Sequence, residues 1–145
     1  MKNSINTNKT LEALEKHVWP PLNEVDQESY LITECNRLRK IPLKNFTTED
    51  FRILIGQDIG LKFLIPLAIE ILKKEILAVG DCYPGDLLAN LLRSDKNYWK
   101  ENQKEWNEVC NLYQTKKEKI KSSEEIDWEI KKDLKEYFSN FQSLN

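Results

Sequence analysis

The chain has 145 residues, of which 40% are hydrophobic, 10% aromatic and 32% charged. This composition excludes a disordered chain, and the net charge of −2, from 22 basic and 24 acidic residues, lacks the basic excess typical of nucleic-acid-binding proteins. We therefore expect one folded domain over residues 1–145, with no nucleic-acid partner. The longest apolar stretch, Phe63–Leu72, is about half a membrane span. Widely spaced cysteines without CxxC spacing indicate free thiols, so we expect a cytosolic protein with no membrane partner.

Apolar side chains recur at helical spacing along most of the chain, whereas the period-two alternation typical of strands is absent. Residues 1–8 are polar and without periodicity, and we expect them to be frayed. Helices are predicted at about residues 9–16, 26–40, 47–55, 61–74, 86–92, 94–120 and 122–141. The predicted fold is all-α, a single compact domain of six or seven helices that ends in a long helical hairpin.

Capping residues indicate where several of these helices begin. Asp26 is a candidate cap of the second helix, and Thr47 with Asp50 forms a weaker version of the capping box. Ser122-Ser123-Glu124-Glu125 is a clear S-x-x-E capping box, and it predicts the start of the last helix. One apolar face of the second helix is predicted to contain Leu31, Cys35 and Leu38.

Two helices carry the pattern of a buried core. Residues 61–74 are apolar except for one narrow polar stripe, formed by Lys62, Pro66, Glu70 and Lys73 or Lys74. In the long helix, four large side chains fall seven residues apart: Trp99, Trp106, Tyr113 and Ile120. This spacing places them on one seam that faces a partner helix. An aromatic binding platform is the alternative, and we favour the core interpretation.

The segment GDCYPGDLL, residues 80–88, joins two predicted helices and concentrates polar and turn-forming residues. Asp81, Cys82 and Asp86 suggest a metal or nucleophile site, but their spacing matches no calcium loop and Cys82 has no basic neighbour in the sequence. A structural role is favoured: Gly80 ends one helix, a turn follows, and Asp86 caps the next helix. Asp81 is left without a structural task and stays available to a partner.

Two isolated residues invite a functional interpretation. His17 is the only histidine, and it has neither a second histidine for a metal site nor a nucleophile nearby in the sequence. We therefore interpret it as an ordinary histidine at the surface or the edge of the core. Trp128 lies opposite the apolar face of the last helix, so it is either exposed at an interface or buried against a neighbouring helix.

An ordered series of short motifs resembles a protein family. The series runs Ile41-Pro42-Leu43, Thr48-Glu49-Asp50-Phe51-Arg52-Ile53-Leu54-Ile55-Gly56-Gln57, Gly60-Leu61, Ile65-Pro66-Leu67-Ala68 and Gly80-Asp81-x-Tyr83-Pro84-Gly85-Asp86-Leu87-Leu88, with Trp99 at its end. Together these motifs resemble the immunity proteins of bacterial contact-dependent growth inhibition systems, the CdiI proteins. The resemblance covers roughly residues 29–99 and leaves out both ends of the chain.

The resemblance implies a cytosolic protein without enzymatic activity or cofactors. Such a protein binds the toxic C-terminal domain of a CdiA effector, often a nuclease, and blocks it. Local chemistry alone suggests the toxin contacts: Asp58, Asp81 and Tyr83 lie on predicted loops, and Trp128 is a candidate anchor. The oligomeric state is left open.

Two other functional classes compete with this one. The first is a helical adaptor that binds a protein other than a toxin through a helix groove. The second is an enzyme built from Asp81, Cys82, Asp86 and His17, which the absence of a recognisable catalytic motif disfavours.

Overall fold

The computed structural model describes residues 4–145, and in this part of the chain the fold is all-α, as predicted. The helices are α1 (Leu11–Glu15), α2 (Glu24–Gln27), α3 (Tyr30–Leu38), α4 (Thr48–Gly56), α5 (Leu61–Lys74), α6 (Asp86–Leu92), α7 (Lys96–Glu101), α8 (Gln103–Ser122) and α9 (Trp128–Gln142). A short 3-10 helix, Leu43–Asn45, precedes α4. These described residues thus contain more α-helices than predicted, because two of the predicted helices are each divided in two.

The predicted second helix is divided at Ser29. Asn23 caps α2, and the Ser29 hydroxyl accepts a hydrogen bond from the Ile32 N–H (3.2 Å) and caps α3. The prediction that Asp26 caps this helix is therefore wrong, because Asp26 lies inside α2. Leu31, predicted to face inward, is 39% exposed.

The long helix predicted at residues 94–120 is divided at Asn102 into α7 and α8. The side-chain amide of Asn102 donates to the Tyr98 carbonyl (2.8 Å). The predicted capping box at Ser122 is wrong, because α8 continues through this residue. Instead, the Asp127 carboxylate accepts from the Ile130 N–H (2.9 Å) and caps α9. α8 packs against α9 and forms the expected hairpin.

α5 runs through the core, and six of its 14 side chains are buried. These are Leu61, Leu64, Ile65, Ala68, Ile69 and Leu72. Lys62 and Glu70 of the predicted polar stripe are exposed, with Pro66 half-buried between them. Gly60, with a φ of 66°, immediately precedes the helix, and the side chain of Leu11 packs against this glycine. This contact joins α1 to the start of α5.

The seven-residue seam is part of the core, as predicted. Trp99 is fully buried, and its indole N–H donates to the Ser94 hydroxyl (2.9 Å). Trp106 is half-buried and donates to the Phe141 carbonyl of α9 (2.9 Å), which ties the two helices of the hairpin together. These bonds satisfy both indole N–H groups where water is scarce.

At the start of the chain, the segment predicted to be frayed is partly described. Residues 1–3 lie outside the described part. The Ile5 side chain packs against the core, and the Thr7 carbonyl accepts from the Lys44 N–H (2.8 Å). No helix within residues 4–145 has the length and apolar character needed to cross a membrane.

Candidate functional site

The GDCYPGDLL loop is organised by the Asp86 carboxylate. This side chain is 1% exposed, and it accepts hydrogen bonds from the backbone N–H groups of Gly80 (2.7 Å), Cys82 (3.0 Å) and Tyr83 (3.3 Å). The prediction that Asp86 caps α6 is wrong: Gly85, with a φ of 93°, precedes the helix, and the Asp86 side chain reaches back over the loop. The carboxylate thus accepts from three backbone N–H groups that would otherwise need water as a partner, and its role is structural.

An ion pair on α4 supports the same loop. The Arg52 guanidinium binds Glu49 with two hydrogen bonds of 2.6 Å, and its Nε lies 3.8 Å from Asp86. Glu49 also accepts from the Asp81 N–H (2.8 Å). The bonds from Arg52 hold the pKa of Glu49 below its ordinary value, so the carboxylate stays charged. The loop is therefore bound to α4 as well as to its own Asp86.

Within residues 4–145, His17 is not bonded to the other residues of the hypothetical enzyme site, which share one loop. Asp86 has the loop amides and Arg52 as partners, and the Cys82 thiol is exposed. Among residues 4–145, no hydrogen bond or ion pair links His17 to Asp81, Cys82 or Asp86. In the same described part, no cluster of three histidine, cysteine or acidic residues could hold a metal ion.

The four predicted contact residues do not form one surface. Asp81 and Tyr83 share the loop at the start of α4, whereas Asp58 follows the end of this nine-residue helix. At 1.5 Å per residue, the two ends of α4 lie about 13 Å apart. Trp128 begins α9, another part of the fold. A single small contact patch therefore cannot contain all four side chains.

Each of these residues has a different environment. The Asp58 carboxylate accepts from the Asp95 N–H (2.9 Å), so it already joins the end of α4 to the start of α7. Asp81 is exposed, and its backbone N–H, not its carboxylate, makes the hydrogen bond to Glu49. Tyr83 is half-buried, and burial raises its pKa. Trp128 is 73% exposed, so the alternative in which it is buried against a neighbouring helix is wrong.

Two further surfaces were not recognised in the sequence. One is the segment on and before α2 and α3, where five large apolar side chains are exposed: Val18, Val25, Tyr30, Leu31 and Ile32. The other is a groove of about 920 Å³ between α8 and α9, which Trp128 lines together with several lysines. The spacing of Lys117 and Lys121, and of Lys131 and Lys135, is the sequence signal for this groove, because residues four apart lie on one helix face.

Comparison with known proteins agrees with the motif resemblance. A family model described as CDI immunity proteins matches residues 13–109, from within α1 into α8. No curated protein and no solved structure matches the chain. The matched segment contains the loop that Asp86 organises and most of the buried core, but not α9.

Proposed function

Because the chain belongs to the family of CDI immunity proteins, we propose that it binds the toxic C-terminal domain of a cognate CdiA effector and neutralises it in the cytoplasm. The observation that carries this proposal is the family match over residues 13–109, which is about two thirds of the chain. The protein has an immunity role in contact-dependent inhibition, and the proposal adds which toxin domain it binds.

The bonds made by the polar groups of the loop support a role in binding rather than catalysis. Asp86, the most buried carboxylate of the loop, has three amide donors and a nearby guanidinium. Glu49 is held by Arg52 and Asp81. Groups committed in this way keep a surface loop in one conformation, which lowers the entropy lost on binding a partner.

A tight inhibitor needs exposed anchors on a rigid scaffold. Candidate anchors are Trp128 and the exposed apolar side chains on and before α2 and α3: Val18, Val25, Tyr30, Leu31 and Ile32. Asp81 and Tyr83 present an acidic and an aromatic group at the fixed loop, and they remain our proposed contacts there. The family resemblance favours a nuclease as the toxin, and the exposed Asp81 carboxylate would attract a basic face of such a nuclease toward the loop.

Coexpression with the toxin domain encoded next to this protein tests the proposal. We expect growth to be rescued and a stable complex to form in isothermal titration calorimetry. The matched control is a CdiA toxin domain from an unrelated system, which should neither bind nor be neutralised. Absence of both rescue and binding with the adjacent toxin would refute the proposal. Recovery of another, non-toxin protein as a stoichiometric partner would favour the adaptor function instead.

The nuclease assignment has a separate test. The purified toxin domain is incubated with DNA and with RNA, with and without a molar excess of this protein. Cleavage that the protein suppresses is the expected result. A toxin that leaves both nucleic acids intact would contradict the nuclease assignment without affecting the immunity role.

A further inference from the structure

The groove between α8 and α9 has an aromatic floor. The rings of Tyr113 on α8 and Phe138 on α9 stack with centroids 3.9 Å apart and planes 8° from parallel, and Ile120 extends the apolar surface. All three side chains are largely buried, so they belong to the packing of the hairpin. The floor is therefore rigid, and it offers apolar surface at the base of an open groove.

The walls of this groove carry positive charge. Five lysines line it, against a single carboxylate, Glu118: Lys117, Lys121, Lys131, Lys132 and Lys135. None of these lysines forms an ion pair with any residue between 4 and 145. Elsewhere in the chain, lysines do pair with carboxylates, as Lys40 does with Glu12 and Lys119 with Glu75. An unpaired positive cluster in a chain of net charge −2 is thus a local feature of this groove.

Trp128 adds an anchor to the groove. It is 73% exposed, and the Lys132 ammonium lies 5.3 Å from the centre of its ring. The cation keeps the indole oriented, since an ammonium is attracted to the face of a tryptophan ring. Large exposed aromatic side chains beside apolar surface are typical of sites where a partner excludes water.

The position of the groove relative to the family match is informative. All residues that line it fall between Tyr113 and Gln142, whereas the match to the family ends at residue 109. The groove therefore belongs to the part of the chain that lies outside the shared segment. Recognition of one particular partner is expected to depend on such a part, because specificity requires contacts that related proteins do not offer.

We infer that this groove is the docking surface for an acidic segment of the toxin domain, an inference that rests on the proposed function. Carboxylates of the segment would pair with Lys121, Lys131 and Lys135, and an apolar side chain would pack on Trp128 and the aromatic floor. Nucleic acid is a poorer occupant, because proteins that bind it carry a basic excess over a larger surface. An acidic peptide segment uses both properties of the groove, its charge and its apolar base.

Charge reversal tests this inference. The groove variant carries Lys121→Glu, Lys131→Glu and Lys135→Glu. The matched control carries Lys44→Glu, Lys100→Glu and Lys104→Glu, which are exposed, lie outside the groove and change the net charge equally. Calorimetry with the adjacent CdiA toxin domain should show a Kd raised about 100-fold or more for the groove variant, and by less than about threefold for the control. Circular dichroism melting confirms that both variants are folded.

Three further measurements make the result specific. Trp128→Ala should weaken toxin binding by about tenfold or more, since buried tryptophan anchors are frequent hot spots. The affinity of the unmodified protein should fall with salt more steeply than that of the groove variant. A fluorescein-labelled RNA and a labelled DNA duplex serve as alternative occupants, and neither should bind at physiological salt.

The outcomes separate the inference from the proposed function. If the unmodified protein fails to bind or neutralise the toxin, the proposed function is wrong, and the inference falls with it. If the unmodified protein and the groove variant bind the toxin equally well, the immunity role stands and the groove is not the docking surface. Tight binding of the labelled nucleic acid, lost in the groove variant while toxin binding is kept, would also overturn the inference.

Discussion

Arg52 donates two hydrogen bonds of 2.6 Å to Glu49, and the same carboxylate accepts from the N–H of Asp81, which lies 32 residues further along the chain. One ion pair on the first turns of α4 therefore fixes a loop that follows α5. A surface contact of this kind would ordinarily contribute little to stability. Here the Glu49 side chain is 16% exposed and has three donors, so its loss should be measurable.

Acid should weaken the fold partly through Glu49. Its pKa in the folded protein lies below the ordinary 4.5, chiefly because Arg52 donates to the charged form. The carboxylate therefore stabilises the fold above pH 4.5, and this contribution is lost as the pH falls through the lower folded pKa. Urea unfolding between pH 7 and pH 3 should show a shallower acid loss for Glu49→Gln than for the unmodified protein. Equal slopes would show that Arg52 does not hold this carboxylate in solution.

Replacement of Asp86 by Asn should destabilise the protein by about 3 kcal/mol. The amide has only one acceptor oxygen for the three N–H groups, and it removes the negative charge that faces Arg52. The free energy of unfolding in urea measures this change. Hydrogen exchange at the amides of Gly80, Cys82 and Tyr83 should accelerate in parallel.

Asp81→Asn is the matched control for Asp86→Asn. Its side chain is exposed and only its backbone N–H bonds to Glu49, so the expected change is within about 0.5 kcal/mol. Comparable losses in the two variants would contradict the structural role assigned to Asp86.

The Tyr98 hydroxyl donates to Glu105 at 2.6 Å between α7 and α8. Burial, and then this bond, raise the pKa of Tyr98 above its ordinary 10.0. The neutral phenol therefore stabilises the fold below pH 10, and this contribution is lost as the pH rises further. Tyr98→Phe should make unfolding less sensitive to pH above 10 and should cost about 1 kcal/mol at pH 7.

Glu105 offers an independent readout of the same bond. Burial raises its pKa, and the bond from Tyr98 opposes this rise. In Tyr98→Phe the pKa of Glu105, followed by NMR of its side-chain carboxyl carbon, should move further upward. A downward movement would show that Tyr98 does not donate to it.

Gly60→Ala should destabilise the protein by about 2 kcal/mol, because alanine disfavours a positive φ and its methyl group would also press on Leu11. An ideal Cβ at this position would lie 2.9 Å from a Leu11 methyl carbon. Gly56→Ala is the control: Gly56 is helical, and its Cβ would lie 2.6 Å from the side-chain amide oxygen of Asn90, so this variant has a close contact without a positive φ. Thermal melting of both variants should place Gly60→Ala clearly lower, and a reversed order would contradict this account.

Local patterns in the sequence determined much of the fold. Helical periodicity predicted an all-α domain, and the apolar run of residues 61–74 predicted a buried helix that the structure confirms, although this helix ends at Lys74 and not at Gly80. Thr47 with Asp50 predicted a capping box that forms with both of its hydrogen bonds. These predictions succeed because periodicity and capping depend on residues within a few positions of each other.

Tertiary structure decided the features that these local patterns do not predict. The position of Asp86 in the sequence predicted a helix cap. In the structure Gly85 precedes the helix, and the Asp86 carboxylate accepts from the loop amides instead. Ser122 with Glu125 predicted a capping box, yet α8 continues through Ser122. The lysine groove exists only because α8 and α9 lie side by side. Such features arise from three-dimensional packing and from buried polar groups that must find partners, and neither is contained in local sequence.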